Sequence, residues 1–119
     1  AVGGRTEIAS LQGFHALRGD LLARLGRTAE AERELLTEIR LFPQAVEARV
    51  ALAATYAATG RRAQALQTID EMVRLLPRPD VYATGVRALR AFEEPEAAGR
   101  LAAAARARFP RDARFDRGG

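Results

Sequence analysis

Residues 26–43 read GRTAEAERELLTEIRLFP, and residues 60–77 read GRRAQALQTIDEMVRLLP. Laid side by side, Gly26-Arg27 matches Gly60-Arg61, Ala29 and Ala31 match Ala63 and Ala65, and Arg40-Leu41-x-Pro43 matches Arg74-Leu75-x-Pro77. The shift is 34 residues throughout, and Ala23 and Ala57 obey it too. A fixed period between about 20 and 50 residues marks a solenoid, in which each repeat buries its apolar face only by stacking on its neighbours. Within each copy the apolar residues (Leu35, Leu36, Ile39, Phe42; Leu66, Ile69, Met72, Val73, Leu76) recur at helical spacing.

Working outward, the same periodicity predicts a helix over 7–25, carrying Ile8, Leu11, Phe14, Leu17, Leu21, Leu22 and Leu25, with Thr6 or Ser10 as N-cap. Gly13 and Gly19 then fall inside a helix, and close helix–helix approach is the expected reason for Gly19. Gly26 ends that helix, Thr28 is placed to cap a second over 29–42, and Pro43 stops it. Further helices follow over 45–59, 62–76, 79–92 and 95–108, with Gly60, Pro77, Pro79, Pro95 and Pro110 as punctuation. Six antiparallel helices joined by short loops make three hairpins, so the fold class is all-α, a right-handed solenoid of helical hairpins. The organisation is a lead-in at 1–6, repeats at 7–45, 46–79 and 80–110, and a polar tail at 111–119.

Composition sets outer bounds. A chain of 119 residues supports one domain or a short array. All 19 basic side chains are Arg; Lys, Asn and Cys are absent. That bias points to GC-rich codon usage and a bacterial source, and zero Cys excludes disulfides and thiol sites. No apolar run approaches the ~20 residues of a membrane helix. The chain begins at Ala1 without Met, which Met excision, leader removal or a place within a larger protein would each explain. The compartment, cytoplasmic or exported after processing, is open.

These residues resemble tetratricopeptide repeats, whose pattern runs from an aromatic through Leu-Gly, Tyr, Ala and an apolar residue to Pro. The middle copy fits best, with Leu52-Ala53, Tyr56, Gly60, Ala65, Ile69 and Pro77; the first reads Gly19, Leu22, Gly26, Ala31, Leu35 and Pro43, with His15 at the aromatic's place. The third is degenerate and one residue short, with Tyr82, Val86, Leu89, Ala98 and Pro110, and Glu93 where a turn glycine belongs. Helical-hairpin arrays of bacterial transcriptional activators are a competing resemblance; the 34-residue period favours the first. The resemblance implies a protein-interaction scaffold whose concave groove is lined by the first helix of each hairpin. The groove candidates are Asp20, Arg24, Glu47, Val50, Ala54, Arg87 and Arg90. Family members that hold a partner's C-terminal carboxylate use Lys and Asn, which this chain lacks, so an Arg-edged, Ala-floored trough for an acidic or helical peptide is the expectation.

Catalytic signals are sparse. His15, the only His, lies on a stripe facing the partner helix and reads as a core residue. The carboxylates stand at helical spacing from Arg, as in Glu30–Arg33 and Asp70–Arg74, and Glu38 is grouped with these solvated pairs. No phosphate loop, metal-ligand cluster or nucleophile elbow is present, so no catalytic residue, metal or cofactor is assigned. The reading is therefore a non-catalytic interaction module, part of a larger bacterial protein. Two alternatives stand beside it. One is a self-assembling subunit stacking head-to-tail through an uncapped last hairpin, and the weaker one is Arg-mediated nucleic-acid binding.

Overall fold

The computed structural model describes residues 12–118. Among these residues six α-helices follow one another: α1 (Phe14–Arg24), α2 (Thr28–Leu41), α3 (Val46–Ala58), α4 (Arg62–Leu75), α5 (Pro79–Ala91) and α6 (Pro95–Arg108), then a 3₁₀ segment at Ala113–Gly118. They pack as three antiparallel hairpins, and the first helices α1, α3 and α5 also touch in sequence. The result is a flat array of 46 × 37 × 17 Å.

Each hairpin turns on one backbone device. Gly26, Gly60 and Glu93 adopt left-handed φ angles of 79°, 77° and 60°. The following N–H reaches back to the helix in all three: Arg27 to the Leu22 carbonyl, Arg61 to Tyr56 and Glu94 to Leu89, at 2.9, 2.8 and 2.9 Å. This is the Schellman arrangement, which satisfies carbonyls left free at a helix end. The third turn keeps the geometry although its residue is Glu.

Small residues set the spacing inside each hairpin. Ala31, Ala65 and Ala98 are buried. At Gly19 a Cβ would sit 2.8 Å from Leu35 Cγ and 3.2 Å from the Ala31 carbonyl oxygen, so the close approach expected there is present. Leu35, Ala48, Leu52, Tyr56 and Ala65 join the first two hairpins, and a larger cluster from Ile69, Met72 and Val73 to Phe115 joins the last two. Among the described residues two ion pairs cross between hairpins: Arg61 with Glu32 at 2.8 Å, and Arg62 with Glu94 at 2.6 Å.

Several sequence expectations are corrected. Among the described residues the first helix begins at Phe14, because Gly13 at φ 91° breaks the helical path instead of lying within it. Thr6, Ile8, Ser10 and Leu11 lie outside the described residues. Thr28 is the first residue of α2 and not its cap; Arg27 precedes the helix, and no side chain caps it. Glu30 pairs with Arg27 at 2.5 Å, not with Arg33, whereas Asp70 and Arg74 pair as expected at 3.0 Å. Glu38 is buried, because the inner face of α2 turns it toward the start of α1. The last hairpin is not bare: Phe115 is 2% exposed and packs into its core.

That tail follows the repeat logic. Phe42, Leu76 and Phe109 end their helices with closely similar φ angles of −132°, −125° and −126°. Just after Pro43 and Pro77 the chain enters a first helix that buries Ala48 or Val81; after Pro110 it makes a short 3₁₀ helix and buries Phe115 instead. Arg106 holds the turn by donating from Nη1 to the Phe115 carbonyl at 3.1 Å, and Phe109 stacks edge-on against Tyr82 at 5.4 Å.

Candidate interaction surface

The face formed by α1, α3 and α5 carries the residues singled out from sequence. Asp20 and Arg24 stand one turn apart on α1, are both exposed and pair with each other at 3.1 Å. Glu47 opens α3 and lines a cleft of about 370 Å³ with Gln12, Ala16, Gln44 and Val46. Val50 is half-buried against the larger core cluster, and Ala54 is half-buried on α3. Arg87 and Arg90 are exposed on α5 and border one cleft of about 150 Å³, floored by Ala83, Val86 and Phe115. The candidates thus fall into three places: an ion pair on α1, a carboxylate beside the junction of the first two hairpins, and an Arg-rimmed cleft on the third.

The rim of that cleft has a further member, Arg114. The polar reading of the tail hid it; the spacing of Phe115 after Pro110, close to that of Ala48 after Pro43 and Val81 after Pro77, is the signal that would have placed it. Arg114 is oriented locally. Its guanidinium donates to Asp112 at 2.6 and 3.0 Å and lies 5.8 Å from the Phe115 ring centroid. Its hydrogen bonds hold the Asp112 carboxyl below its ordinary pKa. Arg87 donates to the Thr84 hydroxyl at 3.2 Å, which keeps it beside the cleft.

On the opposite side of α1, Glu34 accepts from His15 Nδ1 at 2.6 Å and pairs with Arg18 at 3.4 Å. His15 is half-buried with its ring edge-on to Phe14, so it ties α1 to α2 through a charge-assisted contact. Among the described residues no group of three or more His, Cys, Asp or Glu could hold a metal ion, and no helix is long and apolar enough to cross a membrane.

A model of the tetratricopeptide repeat matches residues 22–85, more than half of the chain. The chain belongs to the tetratricopeptide repeat family. The match runs from the last residues of α1 to the middle of α5, so it takes in α2, α3 and α4 whole, with the Gly26 and Gly60 turns. No curated protein matches the chain. At the level of the family, tetratricopeptide repeats are protein-interaction scaffolds, and Ala31, Ala65 and Ala98 stand where the family needs small residues for its helices to approach.

Proposed function

We propose that this tetratricopeptide repeat protein is a non-catalytic scaffold that holds an acidic segment of a protein partner on its first-helix face, anchored at the third hairpin. One observation carries the reading: Arg87, Arg90 and Arg114 rim a single cleft whose floor is apolar, Ala83, Val86 and Phe115. Guanidinium groups can fork onto a carboxylate, and the apolar floor accepts a neighbouring aliphatic side chain. The Ala-rich surface of α3 supplies shape with little anchoring energy, so affinity concentrates at the Arg rim. The module's place within a larger bacterial protein is part of the same proposal.

Fluorescence anisotropy with labelled peptides tests it, using a Glu- and Leu-containing peptide against its Gln-for-Glu counterpart. The acidic peptide binds more tightly, weakens with salt, and loses at least ~10-fold in affinity to an Arg87→Glu/Arg90→Glu variant. Equal binding of the acidic and amide peptides, or equal binding by the variant, would sink the assignment. Tighter binding of a single-stranded oligonucleotide than of the acidic peptide would replace it with the nucleic-acid reading.

A further inference from the structure

Helix α1 is apolar on two opposite faces. Ala16, Gly19 and Leu22 face α2 and α3, whereas Phe14, Leu17, Leu21 and Leu25 are 48, 73, 57 and 63% exposed. The exposed four are spaced by three, four and four residues, which makes one stripe about 17 Å long. Charged flanks, Asp20 and Arg24 on one side and Arg18 on the other, separate the two apolar faces, so the second face is distinct from the one that packs on the array.

The repeat shows which contact is open. The positions equivalent to Phe14, Leu17 and Leu21 are Ala48, Ala51 and Thr55 in the second hairpin, and Val81, Thr84 and Ala88 in the third. All six are buried or half-buried, on first helices that pack against the preceding hairpin. In α1 this face carries Phe and Leu where the inner hairpins carry mostly Ala and Thr. Those bulky side chains suit a knobs-into-holes helix pair better than the close approach of a further repeat.

We infer that the Phe14/Leu17/Leu21/Leu25 stripe is a dimer interface, in which α1 packs antiparallel against α1 of a second copy about a two-fold axis at Leu21. Each Leu17 then lies opposite Leu25 of the other copy, both four residues from the axis. Two-fold symmetry brings like flanks together, and the flank carrying Asp20 and Arg24 is self-complementary. Arg24 of one copy falls about 3 Å along the helix from Asp20 of the other; the two Asp20 lie equally near each other, and the two Arg24, one from each copy, flank that pair and offset its repulsion. Arg18 lies on the other flank, three residues from the axis, and is already paired with Glu34, so the two Arg18 side chains stay about 9 Å apart along the helices.

Head-to-tail growth meets an obstacle at the other end. Phe115 and its turn occupy the place that α1 of a following copy would need. The stripe is smaller than the ~800 Å² per partner of a standard interface, so the dimer is weak and concentration-dependent.

The chain has no Cys, so one introduced thiol gives a clean readout. Leu21→Cys cross-links to a disulfide dimer on mild oxidation, whereas Leu17→Cys and Leu25→Cys each link poorly alone and link to each other when mixed. In sedimentation the unmodified protein passes from monomer to dimer with rising concentration, and Leu17→Glu/Leu21→Glu raises the dissociation constant by ~100-fold or more. A protein monomeric up to millimolar concentration overturns the inference. Growth beyond dimers overturns it too, as does preferential cross-linking at Leu17 alone. Should the Glu variant misfold, the cross-linking pattern of the three Cys variants decides by itself.

Discussion

The carboxyl group of Glu38, on α2, accepts from the backbone N–H groups of Gly13 at 2.7 Å and of His15 at 3.2 Å, and so caps the first turn of α1 from a neighbouring helix. Helices leave their first N–H groups without intrahelical partners, and a residue at the N-cap usually supplies the acceptor. Gly13 has no side chain to do so. The capping oxygen instead comes from a residue 25 positions away, and it closes the first hairpin at the end opposite the Gly26 turn.

Removing that acceptor should therefore loosen α1 specifically. Glu38→Ala is expected to destabilise the fold by about 2 kcal/mol, combining a lost cap with N–H groups left unpaired next to a buried site. Glu38→Gln, which keeps one acceptor oxygen, should lose less. Urea unfolding measures the loss, and amide exchange locates it: faster exchange should appear at Gly13 and His15, with α5 and α6 unchanged. Uniform acceleration across all six helices would contradict a local cap.

The third turn invites the opposite change. Glu93 holds a left-handed φ of 60° at the place where the first two hairpins use Gly26 and Gly60. A side chain there costs roughly 1–2 kcal/mol in the folded state, partly offset by the greater unfolded freedom of Gly. Glu93→Gly should raise stability by about 0.5–1 kcal/mol, visible as a thermal midpoint a few degrees higher. A lower midpoint would mean that the Glu93 side chain makes a stabilising contact that outweighs its backbone strain.

Phe115 should behave as a core residue although it lies four residues before Gly119. Phe115→Ala is expected to cost about 3 kcal/mol, toward the low end for a buried Phe because the turn can detach as a unit. Its loss also removes the floor from the Arg-rimmed cleft, so acidic-peptide affinity should fall together with stability. Falling pH should loosen the same turn. Arg114 depresses the Asp112 carboxyl below its ordinary value of 3.8, so the contribution of that pair is present above about 3.8 and disappears as pH drops through the lower folded value. The Asp112 carboxyl resonance followed by NMR should titrate below its ordinary value in the intact protein and near it in Arg114→Ala.

The architecture was legible because periodic sequence is redundant. Gly26 and Gly60, Ala31 and Ala65, and Pro43 and Pro77 each state the same geometry twice, so any one position could have been misread without changing the fold. The misreadings fall where the repeat is written once. Glu38 has Met72 as its equivalent, a buried apolar residue, and reads as one more surface carboxylate only when that register is ignored. Gly13 lies in a sequence of continuous helical periodicity, which cannot report a single left-handed residue. Arg114 and Phe115 sit in a polar stretch whose composition says tail. Their distance from Pro110 is what places Phe115 in the core, and composition carries no such distance. The candidate surface residues were placed on the expected helices, but the clefts they line depend on side-chain contacts between hairpins, which no linear pattern encodes.

Tyr56 ties the interface between the first two hairpins to alkaline pH. Its ring is buried, and the Arg61 guanidinium lies 4.7 Å from the ring centroid while donating to both Glu32 oxygens. Burial raises the phenol above its ordinary pKa of 10.0, the Glu32 charge raises it further, and Arg61 opposes them in part. The folded state holds this proton more tightly, so as pH rises the unfolded chain releases it first, and that release favours unfolding. The phenol's contribution is therefore fully present below pH 10.0 and is lost as pH rises through the higher folded value. Stability should then decline above pH 10, before the Arg side chains titrate, and Tyr56→Phe should flatten that decline while leaving the neutral-pH stability within about 1 kcal/mol. If Tyr56→Phe loses stability with rising pH as steeply as the unmodified protein, the alkaline decline has another origin and the Tyr56–Glu32–Arg61 junction is not its sensor.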